Sequence, residues 1–76
     1  MTLADAAETV LKQAGGGPLH CKVIAERVVE QGLAEPKSNE PWLYVRAAIR
    51  KDNKSRASRG LDQRFVAAGS GEFKLK

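Results

Sequence analysis

The chain has 76 residues, with thirteen Lys and Arg against nine Asp and Glu, a formal net charge of +4. Hydrophobic residues make up 42% and charged residues 29%, a globular rather than disordered composition for one small domain over residues 1–76. A single cysteine, Cys21, excludes an internal disulfide framework and any zinc site that needs two thiolates. No apolar run approaches the ~18 residues of a membrane span. The first residues lack the basic-then-apolar pattern of a secretory leader. A reduced, intracellular setting and a non-catalytic module are therefore expected.

Charge is unevenly spread. Residues 1–40 carry four basic and six acidic side chains, and residues 41–76 carry nine basic and three acidic. Seven of the basic ones (Arg46, Arg50, Lys51, Lys54, Arg56, Arg59, Arg64) fall within 41–64. A scaffold with one positive end suits an anionic partner. The same cluster is also compatible with a merely solvated face.

Thr2 is a good N-cap, and Asp5 three residues on completes a capping box. Leu3, Ala6, Ala7, Val10, Leu11 and Ala14 then recur at helical spacing and predict an amphipathic first helix. Gly15-Gly16-Gly17 and Pro18 end it. Leu19-His20 reads as a short extended piece. A second helix is expected from Cys21 or Lys22 to Gln31, with Ile24, Ala25, Val28 and Val29 on one side and Gly32 beyond its end. Ala34 to Glu40 reads as a loop. Pro41 is suited to the first position of a third helix, where its missing N–H costs nothing. That helix is expected to end near Lys51 or Asp52, with Trp42, Val45, Ala48 and Ile49 on its core side and Arg46 and Arg50 away from it. Residues 53–63 show no periodicity and read as a basic loop. Arg64–Ala68 and Glu72–Leu75 flank Gly69-Ser70-Gly71 as a β-hairpin.

This order of elements is that of a three-helix winged helix-turn-helix, mainly α with a small β-hairpin. Its expected core is Leu3, Val10, Leu11, Leu19, Ile24, Val28, Leu33, Val45, Ile49, Phe65, Phe73 and Leu75.

The run from Thr2 to Leu33, with its Thr-capped Ala-rich helix, its Gly-Pro-Leu-His turn (Gly17 to His20) and its Gly-Leu end, resembles the first half of HARE-type helix-turn-helix domains. Pro41, Val45, Ile49, Arg64-Phe65 and Gly71-Glu72-Phe73-Lys74-Leu75 are similar to the second half. The resemblance covers about Thr2 to Leu75. It implies a winged helix that binds DNA or docks DNA-handling machinery. A cytoplasmic, nucleoid-associated setting is the accompanying expectation. Two positions depart from the family pattern. Glu40 stands where Thr usually precedes the helix-opening proline, and Val23 occupies a usually polar site.

Two readings of function follow. In the first, the third helix enters the major groove of duplex DNA, and the basic segment and the wing touch the backbone. Tyr44, Arg46, Ala47, Arg50, Lys51, Lys54, Arg56, Arg59 and Ser70 would carry this contact. Arginines at i and i+4 repel each other mildly, and an anion between them relieves that repulsion. In the second, the same fold docks on a protein of a transcription, chromatin or restriction complex through Val23, Leu43 and Tyr44. Either way a monomer without cofactor, metal or membrane contact is expected. His20 and Cys21 have no second thiol, imidazole or spaced carboxylate pair to build a site with, and structural roles are expected for both.

Overall fold

A computed structural model describes residues 2–35 and 39–76. The elements are α1 (Leu3–Gln13), β1 (Leu19–His20), α2 (Cys21–Glu30), α3 (Pro41–Ser58), β2 (Phe65–Gly69) and β3 (Glu72–Leu75). The expected loop 34–40 overlaps residues 36–38, which lie outside the described residues.

Local chemistry sets the helix ends. Thr2 Oγ1 accepts from the Asp5 N–H at 3.1 Å, and the Asp5 carboxylate accepts from the Thr2 N–H at 3.3 Å, so the expected capping box forms. His20 caps α2: its Nδ1 accepts from the Lys22 N–H at 3.1 Å. Cys21 is buried and packs in the core. The far ends of α1 and α2 are clasped by a reciprocal amide pair between Gln13 and Gln31, at 2.7 and 2.9 Å.

The third helix differs from its expected length. It runs through Ser58, so half of the segment expected as a basic loop is helical. The inward stripe continues from Val45 and Ile49 to Asp52, Asn53 and Arg56, all three of these polar residues half-buried. They occupy the positions where apolar ones would have carried the periodicity. The helix closes at Gly60, whose φ of +71° lets the Leu61 N–H reach the Arg56 carbonyl at 2.8 Å.

β3 is the central strand of a three-stranded antiparallel sheet of order β1-β3-β2. Leu19 faces Phe73, Phe65 faces Leu75, and Ala67 faces Phe73, with an irregularity between Ala67 and Gly69. The expected hairpin is present, but its first strand starts at Phe65 and the turn is Ser70-Gly71. Gly17 lies against this sheet. A Cβ there would meet the Phe73 carbonyl oxygen at 3.1 Å and Lys74 Cα at 3.2 Å.

The core joins Ala6, Ala7, Val10 and Leu11 of α1, Ile24, Ala25 and Val28 of α2, Val45 and Ile49 of α3, and Phe65 and Phe73 of the sheet. Leu3, Leu19, Leu33 and Leu75, expected inside, are only partly buried and pack on its rim. Alanines take inner positions instead, which lets the short helices approach closely. The whole is a winged helix-turn-helix.

Candidate nucleic-acid interface

Arg64 is counted in the basic cluster by sequence, but the fold withdraws it. Its Nη2 and Nε donate to the two Asp52 oxygens at 2.6 and 3.1 Å, and its Nη1 donates to Asp5 at 2.9 Å and faces Glu8 at 3.6 Å. The side chain is only 16% exposed. Hydrogen bonding to Asp52 first, then to Asp5, pushes the guanidinium pKa further up. The same Arg64 contact, helped by Thr2, lowers the Asp5 carboxyl to about 2. Arg56 also turns toward this cluster. Its Nε lies 3.4 Å from Asp52, a charge contact rather than an aligned hydrogen bond, and its Nη1 donates to the Asp62 carbonyl at 3.3 Å.

Arg46 and Arg50 behave differently. Both are exposed, one turn apart, and neither makes an ion pair among the described residues. They border an open groove of about 380 Å³ between α3 and the β2–β3 turn. Asn53, Gly69, Ser70 and Gly71 line the same groove, so three expected site residues, Arg46, Arg50 and Ser70, converge there. Asn53 is a member that sequence reasoning misses. Its Oδ1 is buried without a hydrogen-bond partner among the described residues, on the groove's α3 wall. Its polar character inside the continued core stripe was the available signal.

The other expected residues are spread around α3. Lys54 and Ala47 are exposed. Lys51 faces a separate hollow of about 300 Å³ beside Thr2 and Leu3 at the start of α1. Arg59 stands exposed at the helix end, its Nε donating to the Ser55 carbonyl at 3.4 Å. Leu43 and Tyr44 are 47% and 53% exposed, whereas Val23 is half-buried on α2. Adjacent residues on a helix diverge by about 100°, so Leu43 and Tyr44 do not share one direction.

The wing turn is tied to the second helix. The Cys21 N–H donates to the Gly71 carbonyl at 2.8 Å, and a Cβ on Gly71 would lie 2.8 Å from His20 Nε2. The turn that borders the Arg46–Arg50 groove is therefore held by the start of the helix-turn-helix unit.

The profile of the HARE-HTH family, whose description names ASXL and a restriction endonuclease HTH domain, matches residues 1–76. The chain belongs to the HARE-HTH family. No curated protein and no solved structure is significantly similar to it. The family points to a DNA-binding helix-turn-helix domain and is not known as catalytic. Among the described residues of this HARE-HTH chain, no cluster of three or more His, Cys, Asp or Glu is arranged to hold a metal, and no helix is long and apolar enough to cross a membrane.

Proposed function

We propose that this HARE-HTH chain binds duplex DNA with the outward side of α3 and the β2–β3 turn, and that Arg46 and Arg50 are its central contacts. The observation that carries the reading is the convergence of two exposed arginines, without an ion pair among the described residues, with the wing turn on one groove. Arginine presents a planar fork suited to guanine O6/N7 or to phosphate. Asn53 offers a polar group beside them, and Ser70 a hydroxyl at the wing. Lys54 follows the helix outward and Arg59 its end, as phosphate contacts that read no sequence, while Lys51 lies beside the start of α1 and off the groove. Tyr44 and Ala47 complete the exposed face. Arg56 contributes less, because Asp52 already shares its charge.

Fluorescence anisotropy with a labelled duplex at two salt concentrations tests this. Three or four neutralised phosphates give a log–log salt slope of about −2.7 to −3.6, at ~0.9 per phosphate. Affinity near physiological salt should be micromolar or weaker for one small module. Absence of binding at tens of micromolar protein in low salt overturns the reading. The exposure of Leu43 and Tyr44 supports a second reading, docking on a protein of a DNA-handling complex, to which the half-buried Val23 of α2 contributes less. Binding of that kind would be insensitive to salt.

A further inference from the structure

A second groove, of about 560 Å³, lies between α2 and the first turn of α3, and it shares no lining residue with the Arg46–Arg50 groove. Its floor is Val29, Pro41 and Trp42, and its rim is Lys22, Glu26 and Glu30. Val29 is 51% exposed and lines the groove beside Pro41 and Trp42 as part of one apolar patch. Lys22 already has an occupation: its Nζ sits 5.2 Å from the centre of the Trp42 ring. Glu26 and Glu30 do not. They stand one turn apart on α2, both exposed, and neither makes an ion pair among the described residues. Like charges at that spacing repel.

We propose that this groove docks a basic segment of a partner protein that carries one apolar anchor. The anchor, a side chain of leucine or methionine size, fills the floor over Val29 and Trp42. A lysine or arginine one turn away lies between Glu26 and Glu30 and relieves their repulsion. This is the helix-in-groove mode with charges that select the partner. The same two carboxylates oppose nucleic acid at this face. A second copy of the chain is a poorer occupant. Its basic, apolar-anchored segment is α3, the surface assigned to DNA, and two chains of net charge +4 repel each other.

Trp42 is the single tryptophan, so its fluorescence reports the groove directly. The probe is a synthetic helical peptide of Lys and Arg with leucines on one face, titrated against the whole chain. Its controls replace the leucines by serine, or the basic residues by glutamate. The expected result is a saturable change in Trp42 emission with the basic leucine peptide at micromolar to submillimolar concentration. Glu26→Lys/Glu30→Lys and Val29→Asp should each weaken it by about tenfold or more. Both changes are on exposed positions, and Val29→Asp should leave DNA affinity within about twofold. Retained peptide binding with lost DNA binding, or the reverse, separates this site from the DNA reading. Three results overturn the proposal. They are no saturable change up to ~1 mM peptide, equal binding of the serine control, and self-association of the chain that Glu26→Lys/Glu30→Lys disperses.

Discussion

Replacing Arg64 by methionine keeps the length of the side chain and removes the charge that ties α1 and α3 to the start of the hairpin. Asp5 and Glu8 of α1 and Asp52 of α3 would then face one another, with Arg56 beside Asp52 and the exposed Lys12 beside Glu8 as the remaining cations. Arg64 and Asp52 are 16% and 15% exposed, so the pair is neither in open water nor fully desolvated. Breaking a fully buried pair on one side costs about 3–5 kcal/mol, and an exposed pair contributes about 0–1. The two-pronged Arg64–Asp52 contact places Arg64→Met between those limits, at about 2–4 kcal/mol. For a domain this small, each kcal/mol lowers the melting temperature by roughly 4–8 °C. Urea unfolding followed by far-UV circular dichroism measures the loss. The double variant Asp52→Asn/Arg64→Met should lose less than the sum of its parts, by about 1–2 kcal/mol. A loss under about 0.5 kcal/mol for Arg64→Met would refute the reasoning. The network also sets an acid limit. Asp5 is lowered to about 2 in the folded chain, below its value when unfolded. Its contribution is present above the unfolded pKa, near ~4, and is lost as pH falls toward about 2. Arg64→Met should remove most of the Asp5 part of this acid sensitivity.

Arg46→Ala/Arg50→Ala should change stability by less than about 0.5 kcal/mol, since both side chains are exposed, and should cost DNA binding roughly 2–5 kcal/mol in anisotropy titrations. Gly17→Ala should be more destabilising than Gly16→Ala, because its Cβ meets β3 backbone at 3.1–3.2 Å while that of Gly16 meets nothing within 4 Å. Both pay for positive φ, about 1–2 kcal/mol, and thermal unfolding should rank them. Amides of residues 53–58 should show helical hydrogen-exchange protection. Exchange at the rate of open chain would return this segment to the loop that its composition suggests.

The parts legible in sequence are those whose signals are local. The Thr2–Asp5 box, the glycines after α1 and α2, Pro41 and the hairpin all specify their elements within a few residues. The phase of Val45 and Ile49 also placed Arg46 and Arg50 outward. The second half of α3 was hidden because its inward positions are Asp52, Asn53 and Arg56. A reader of apolar periodicity sees the helix stop where its core contact becomes ionic. Gly60-Leu61 repeats the Gly32-Leu33 ending of α2, and that was the sign of a helix end at 58–59. The position of Arg64 was illegible for a different reason. Its partners lie at residues 5, 8 and 52, and only the folded chain brings them together.

That displacement changes what the basic cluster can do. Of seven basic residues in 41–64, Arg64 is fully engaged and Arg56 is shared with Asp52, which leaves Arg46, Arg50, Lys51, Lys54 and Arg59 without an ion pair among the described residues. Five charges on one helix set an upper slope of about −4.5 for the salt dependence of DNA binding through α3. Lys51 faces the start of α1, away from the Arg46–Arg50 groove, so a single duplex engaging that groove should not reach all five. A slope of about −2.7 to −3.6 therefore fits a duplex lying along the groove. A slope steeper than about −4.5 would require charges from beyond α3, or the opening of the Arg64 network. The two are separable: in the second case Asp52→Asn, which releases the charge of Arg56 and loosens Arg64 while Asp5 and Glu8 still hold it, should strengthen DNA binding while it destabilises the fold. If Asp52→Asn leaves the slope and the affinity unchanged, those two arginines serve the fold alone.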